Sequence, residues 1–255
     1  MIQYTPIVNY QKSSFSSTVS TGKAITHDIY TIGIGAPIVL IQELPGIGKE
    51  TLRLADKFVA QGFQVVLPHL FGPLERTSTF GNLVRVFCMR KEFRLFSANQ
   101  SSPIVDWLKA LCRKVKTDNN AKGVGVIGMC LTGNFAISLM ADESVLASVS
   151  SQPAMPLGKA GALHMSSADI TQIKENIERV GCPMIAMRFE KDPMSPKVKF
   201  KCIHETFNSD KERVQLKTLP GKGHSVLTLD FVDEAGHPTH QALQEVIAYF
   251  TKQLN

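Results

Sequence analysis

Apolar and polar positions follow two periodicities along this chain, one typical of strands and one typical of helices. Short apolar runs rich in Val, Ile and Leu, of which 35–44 suits a strand buried on both faces of a sheet, predict the strands of this chain. They cover residues 27–33, 35–44, 63–70, 123–130, 144–153, 183–192 and 213–221. Apolar residues at helical spacing, with Gly at several ends, predict helices between them. These cover residues 45–62, 104–116, 131–143, 168–181, 195–208 and 237–254.

The regular alternation of strand and helix indicates the fold class. Right-handed crossovers between successive strands predict an α/β protein with a mostly parallel central sheet flanked by helices. Residues 24–255 are expected to form a single domain, with residues 27–33 as an edge strand. The Ser/Thr-rich residues 1–23 are interpreted as an N-terminal extended arm. Residues 71–102 are less regular and are interpreted as a lid-like excursion.

Composition narrows the classes of protein that this chain can be. Its 255 residues are 44% apolar and 20% charged, and no apolar run approaches the roughly 18 residues of a membrane span. The first residues lack a basic start followed by an apolar stretch, so a cytoplasmic protein without a membrane partner is expected. The net charge is +6, but the cations are scattered and no basic–aromatic stripe suggests nucleic acid. The basic stretch 84–94 is either a solvated face or a pocket wall that attracts small anions.

Cysteine usage argues against a disulfide framework and a structural zinc site. The five cysteines are Cys88, Cys112, Cys130, Cys182 and Cys202. Their number is odd and no two form a CxxC pair. The pair His237 and His240 lacks the glutamate and spacing of a zinc protease. We therefore predict no metal and no organic cofactor.

One cysteine stands in a context that suggests catalysis. The residues Gly-Met-Cys-Leu-Thr-Gly (128–133) join an apolar strand to an amphipathic helix, as in a nucleophile elbow, where a strained turn lifts the nucleophile above the sheet. The helix N-terminus would favour the Cys130 thiolate. Gly128 and Gly133 supply small residues for the turn, although Thr132 stands where the usual motif has glycine. The alternative is an inert cysteine on a core strand.

A nucleophile of this kind needs a base and a carboxylate that orients the base. In this fold they follow the nucleophile along the chain, each after a later strand. Asp192 ends the strand 183–192, and His224 follows the strand 213–221 in a Gly-rich loop. His69 also ends a strand and is a candidate for the wall of the same pocket.

Together these motifs resemble the dienelactone hydrolase family. The resemblance rests on GMCLTG (128–133), Gln42-Glu43 after an apolar strand, Asp192, and Gly-His-Ser (223–225). It implies an α/β-hydrolase fold with Cys130 as the nucleophile, His224 as the base and Asp192 as its carboxylate.

The resemblance also implies roles for three other positions. Glu43 would be a buried glutamate that pairs with the resting thiol or its proton, and the backbone N–H groups of Leu131 and Leu44 would form the oxyanion hole. Independently, a carboxylate beside Leu44 and Pro45 is expected to be poorly solvated and to have a raised pKa. The alternative for Glu43 is a capping or surface residue.

The substrate is less clearly indicated than the chemistry. Thr228 stands where family enzymes have an arginine that holds the substrate carboxylate. Arg90, with Arg85, Lys91 and Arg94, is a candidate replacement in the irregular region. Thr228, His69 and Arg90 are therefore the candidates for substrate binding.

The expected function is hydrolysis of a small ester or lactone, with an anionic group on the substrate as one option, through a Cys-His-Asp triad and an acyl-enzyme. The alternatives are a catalytically silent scaffold that binds a small ligand, or a thiol-based redox protein with Cys182 or Cys202 as partner. Monomer and homodimer remain equally open.

Overall fold

The computed structural model describes residues 3–44, 46–75, 102–154, 161–163 and 165–255. The strands are β1 (Gln11–Thr18), β2 (Ala24–Ile32), β3 (Ala36–Ile41), β4 (Phe63–Pro68), β5 (Val124–Met129), β6 (Val145–Ser151), β7 (Met184–Phe189) and β8 (Val214–Leu219). The helices are α1 (Lys49–Val59), α2 (Pro103–Asp118), α3 (Leu131–Leu139), α4 (Ser167–Val180), α5 (Lys197–Phe207) and α6 (Pro238–Leu254). Among the described residues, no helix has the length and apolar character required to cross a membrane.

The eight strands form one sheet in the order β1-β2-β4-β3-β5-β6-β7-β8. β1 is antiparallel to β2, and β2 is antiparallel to β4. The six strands β3, β4, β5, β6, β7 and β8 are parallel to one another. The expectation of an α/β fold with a mostly parallel central sheet is confirmed.

Alternation along the central strands divides the buried side chains between two cores, because successive residues of a strand point to opposite faces. Val39 and Ile41 of β3 pack in the core that also holds residues of α2, α3, α4 and α5. Ile38 and Leu40 pack in the core beneath α1 and α6. Both faces of the sheet are therefore covered, which explains why these strands are continuous apolar runs.

The direction of the crossovers reverses between β3 and β5, which are hydrogen-bonded neighbours. From β3 the chain goes to β4 on one side, and later returns to β5 on the other. At such a switch point the loops after two adjacent strands diverge and leave a crevice at their carboxyl ends. Glu43 follows β3 and Cys130 follows β5, so both lie at this crevice.

The N-terminal region differs from the sequence-based interpretation in one respect. Residues 1–23 were expected to be an extended arm, and within them Gln11–Thr18 is a strand that pairs along its whole length with β2. The strand predicted at residues 27–33 is therefore not the edge strand. Most of the lid-like region 71–102 lies outside the described residues.

Candidate active site

Cys130 occupies a strained turn between β5 and α3. Its backbone angles are φ 58° and ψ −120°, a conformation that non-glycine residues rarely adopt and that is typical of functional sites. Three backbone hydrogen bonds hold it, from Cys130 N to Ser151 O (3.1 Å), from Ala154 N to Cys130 O (3.0 Å) and from Gly133 N to Cys130 O (3.1 Å). The strained residue is thus tied to the end of β6 and the segment that follows.

Gly128 makes this turn sterically feasible. A Cβ atom at Gly128 would lie 2.0 Å from the carbonyl oxygen of Thr132, which is far inside van der Waals contact. A Cβ at Gly133 would lie 3.0 Å from Ser151 O and 3.1 Å from Pro153 Cα. The first glycine lets the turn fold back on its strand, and the second lets α3 approach β6.

Thr132 replaces the glycine of the usual motif and has a role that glycine lacks. Its buried hydroxyl accepts a hydrogen bond from Met129 N (2.9 Å). The same oxygen lies 3.0 Å from Gln42 O, 3.3 Å from Ile41 O and 3.0 Å from Met129 O, so its single proton can be donated to the end of β3 or to the last residue of β5. Thr132 therefore links the elbow to the end of β3.

His224 and Asp192 form a buried pair. His224 Nδ1 and Asp192 Oδ2 are 2.7 Å apart, and their side chains are 13% and 0% exposed. The other oxygen of Asp192 accepts hydrogen bonds from Met194 N (2.8 Å) and Ser195 N (3.1 Å). Asp192 is thus fixed on both oxygens and orients the imidazole.

The surroundings of the pair favour its charged form. Burial alone would lower the pKa of His224, but Asp192 and Cys130 outweigh that effect and raise the pKa to about 10. For Asp192, burial is outweighed by the hydrogen bonds from His224 and Ser195, which hold its pKa below the usual range. His224 Nε2 is buried and has no hydrogen bond of standard geometry to a described residue. Its interaction with Cys130 is nevertheless close enough to affect the histidine pKa.

The loop around His224 is held by a second carboxylate. Asp230 Oδ2 accepts hydrogen bonds from His224 N (2.7 Å) and Ser225 N (2.9 Å). A Cβ at Gly223 would lie 2.6 Å from the Phe189 ring and 2.9 Å from Asp230. Only glycine therefore lets the loop pack this closely before His224.

Glu43 is buried beside this loop, 4% exposed. It accepts hydrogen bonds from Ser225 Oγ (2.9 Å) and Gln152 Nε2 (3.2 Å), and its other oxygen contacts the Thr228 hydroxyl. Burial raises the pKa of Glu43, and the hydrogen bonds from Thr228 and Ser225 oppose this only in part. The raised pKa expected from the sequence is thus present, and Glu43 is neither a surface residue nor a helix cap. Its hydrogen bonds to described residues do not include one to Cys130.

The remaining candidates are distributed as follows. Leu131 is the first residue of α3, where N–H groups lack an intrahelical acceptor, and Leu44 follows Glu43 at the end of β3. His69 Nε2 lies 2.8 Å from Gly72 O. Thr228 contacts Glu43, and Arg90 lies outside the described residues.

Three site residues were not anticipated from the sequence. Gln152 follows β6 with φ 35° and contacts Glu43, and Asp230 fixes the His224 loop. Buried Arg188 binds Ser195 O (2.5 Å) and Glu190 O (2.9 Å), at the two sides of Asp192. The sequence could have indicated Arg188, because it is the lone cation in the apolar strand β7. Gln152 and Asp230 were harder to predict, because only their polarity beside a strand end or a glycine loop distinguishes them.

Within the described residues, no group of three His, Cys, Asp or Glu side chains is arranged to hold a metal ion.

Comparison with known proteins shows the family. The sequence model described as the dienelactone hydrolase family matches residues 34–254. No curated protein matches the chain by sequence.

Solved structures share the fold at low sequence identity. A dienelactone hydrolase from Anabaena variabilis is 14% identical with a TM-score of 0.60, over 96% of this chain and 99% of its own. A Pyrococcus furiosus esterase is 12% identical with a TM-score of 0.61, over 97% and 93%. A dienelactone hydrolase-like promiscuous phosphotriesterase from metagenomic libraries is 12% identical with a TM-score of 0.61, over 96% and 99%. With 221 residues matched by its model, the chain belongs to the dienelactone hydrolase family, within the α/β-hydrolase superfamily.

Proposed function

We propose that this chain hydrolyses a small ester or lactone through a Cys130–His224–Asp192 triad. The main support is the 2.7 Å hydrogen bond between His224 and buried Asp192, at the same edge of the sheet as the strained elbow residue Cys130. A nucleophile, a base and an orienting carboxylate in this chain order are the components of acyl transfer in this fold.

The reaction would proceed in two halves. His224 Nε2 accepts the thiol proton of Cys130, and the thiolate sulfur attacks the substrate carbonyl carbon. The C–O bond to the alcohol then breaks, and the imidazolium returns its proton to the departing oxygen; in a lactone that oxygen stays attached to the acyl chain. Water, deprotonated by His224, next attacks the thioester carbon. The C–S bond then breaks, which releases the acid, and the imidazolium returns its proton to the Cys130 sulfur.

Two backbone donors are suited to the negative oxygen that forms in each half-reaction. The N–H of Leu131 lies at the N-terminus of α3, and the N–H of Leu44 follows the end of β3. Preorganised backbone N–H groups at such an oxyanion are worth about 10²–10³-fold in rate each. The partial positive charge of the helix N-terminus acts in the same direction.

Redox function has less support than hydrolysis. Cys182 precedes β7 and Cys130 follows β5, so they lie at opposite ends of parallel strands that are six residues long. At about 3.3 Å per residue this separates them by roughly 20 Å, too far for a disulfide. Burial also raises the pKa of Cys182, which disfavours its thiolate. A catalytically silent scaffold would have no need of a paired Asp192 and His224.

The proposed substrate is a small ester or lactone, and a carboxylate on it stays an option because the candidate cation Arg90 lies outside the described residues. The hydroxyl of Thr228, a candidate for substrate binding, contacts Glu43. A screen of lactones and esters with and without a carboxylate would separate the two classes.

The first prediction tests the nucleophile and the base. Cys130→Ala and His224→Ala should each lower kcat for an activated ester such as p-nitrophenyl acetate by about 10³-fold or more, because covalent transfer needs both groups. Mass spectrometry should detect an acyl group on the wild-type chain and none on Cys130→Ala.

Cys202→Ala is the matched control, since Cys202 is another half-buried thiol, on α5. It should retain wild-type turnover. Unchanged hydrolysis in Cys130→Ala, or equal losses in the Cys130 and Cys202 variants, would refute the proposed nucleophile.

A further inference from the structure

Glu43 has a set of neutral hydrogen-bond partners that the triad does not explain. Its carboxyl group contacts the hydroxyls of Ser225 and Thr228 and the amide of Gln152. Each partner is itself buried. Among the described residues no Lys or Arg pairs with Glu43, so this buried carboxyl group is held by neutral donors alone.

The partners belong to separate parts of the fold. Glu43 follows β3, Gln152 follows β6, and Ser225 and Thr228 lie in the loop that carries His224. Gln152 is anchored in turn, since its N–H donates to Met187 O at 2.6 Å and its side-chain oxygen accepts from Val226 N at 3.4 Å. Through these bonds, Glu43 and Gln152 attach the residues directly after His224 to two central strand ends.

We propose that Glu43 is a positioning residue, which braces the His224 loop through Ser225, Thr228 and Gln152 and does not exchange a proton with Cys130. The inference rests on the proposed function, because the position of His224 matters to the reaction described there. It departs from the role that the family resemblance implied for Glu43, since both carboxyl oxygens are engaged by the loop and by Gln152.

The neutral form of Glu43 fits this network. A protonated carboxyl group can donate to the Thr228 hydroxyl while its other oxygen accepts from Ser225 and Gln152. Burial favours that form, and it outweighs the opposing effects of the hydrogen bonds and of the His224 charge in the upward shift of the Glu43 pKa. A glutamine has the same shape and keeps a donor on one side and an accepting oxygen on the other, whereas an alanine has neither.

The test compares Glu43→Gln with Glu43→Ala. The brace predicts that Glu43→Gln keeps kcat for p-nitrophenyl acetate within about threefold of wild type. It predicts that Glu43→Ala loses about 30-fold or more in kcat with a smaller change in KM, because small displacements of a catalytic group cost up to about 10²-fold. Equal losses of kcat in both variants, with loss of one limb of the pH–rate profile, would overturn the inference in favour of an ionised Glu43 that acts on the thiol.

An NMR titration of His224 supplies a readout that does not depend on turnover. If Glu43 is a neutral brace, the pKa of His224 stays near the wild-type value in Glu43→Gln and falls in Glu43→Ala, where the loop loses its anchor. If Glu43 is ionised, removal of its charge lowers the pKa of His224 in Glu43→Gln as well, because a nearby anion stabilises the imidazolium.

Milder variants keep the inference testable if Glu43→Ala does not fold. Thr228→Val and Ser225→Ala each remove one hydroxyl contact to Glu43, and each should lower kcat and the His224 pKa in the same direction by smaller amounts. A wild-type chain without hydrolysis would refute the proposed function, and the His224 titrations would still decide the role of Glu43. Wild-type values of both kcat and His224 pKa in Glu43→Ala, Thr228→Val and Ser225→Ala would refute the brace.

Discussion

At the scale of single residues, the charge state of His224 depends on two neighbours. Asp192 contacts Nδ1 directly, and Cys130 also contributes to the rise of the His224 pKa to about 10. Both neighbours stabilise the imidazolium, so His224 can hold the proton that it takes from Cys130 in the proposed first half-reaction. The same pKa shift connects catalysis with folding stability.

The variant Asp192→Asn should separate the effect of Asp192 on the His224 pKa from the effect of Cys130. Removing the carboxylate charge should lower the pKa of His224 and allow the wrong tautomer, so kcat is expected to fall by about 10³-fold or more. An NMR titration of His224 and ester turnover would be measured together. Glu190→Gln is the matched control, because Glu190 is an exposed carboxylate two residues earlier. Similar effects of the two variants would contradict the assigned role of Asp192.

The pH dependence of unfolding follows from the same shift. His224 has a folded-state pKa near 10 and an ordinary value of 6.5, so the folded chain holds its proton more tightly. Its stabilising contribution is fully present below pH 6.5 and is lost as the pH rises towards 10. Urea unfolding of wild type and Asp192→Asn should show the largest difference below pH 6.5 and a smaller one near pH 10. A difference that grows with pH would contradict the assignment.

At the scale of elements, the elbow depends on contacts between three strands and one helix. Thr132 connects the turn after β5 to the end of β3, while Cys130 is bonded to the end of β6. The position of Cys130, the proposed nucleophile, at the strand–helix junction was predictable, because the apolar run stops just before Cys130 and helical spacing starts just after it. The role of Thr132 was not, since its oxygen contacts residues about 90 positions earlier in the chain.

Thr132→Val and Thr132→Ser form a matched pair for this element. Valine keeps the shape but leaves the buried Met129 N–H without its acceptor, which should lower the free energy of unfolding by about 1–3 kcal/mol. Serine keeps the hydroxyl and loses one methyl group, at about 1 kcal/mol. Chemical denaturation should therefore rank Thr132→Val below Thr132→Ser. The reverse order would mean that the methyl group, and not the hydrogen bond, supports the elbow.

The other residues of the candidate site also have contacts that the sequence pattern does not predict, because their partners are distant along the chain. Strand ends placed Glu43, Cys130, Asp192 and His224 at one edge of the sheet, because the carboxyl ends of parallel strands share an edge. Their partners were not predictable in this way. Ser225 and Thr228 meet Glu43 across 182 and 185 positions of sequence, and no local pattern of polarity indicates such pairs.

At the scale of the whole molecule, the pattern of polar and apolar residues failed to predict the N-terminal strand β1. β1 has the sequence QKSSFSST and is mostly exposed, so it lacks the apolar alternation that marks a strand. It forms because its backbone pairs with the backbone of β2 along its whole length. The family model begins at residue 34, so both of these strands lie outside the matched region although they belong to the same sheet.

Removal of residues 1–22 should therefore weaken the whole fold. The deletion takes away Ile7, Tyr10 and Val19, which are buried, together with the hydrogen bonds of Thr5 N to Asp56 (2.7 Å) and Ile7 N to Glu75 (3.0 Å). Three buried apolar side chains contribute about 1.5–3 kcal/mol each, reduced by the entropy of ordering the arm. We expect the free energy of unfolding to fall by about 3 kcal/mol.

The deletion should also change how the chain associates. It exposes the unpaired backbone of β2, and an open strand edge promotes pairing with other chains. Thermal unfolding and light scattering would measure both effects, with Val8→Ser as the control, because Val8 lies in the same arm and is 80% exposed. That variant should match wild type in both measurements. A truncated chain that is equally stable and equally monodisperse would mean that β2 alone forms a sufficient edge and that β1 is dispensable to the sheet.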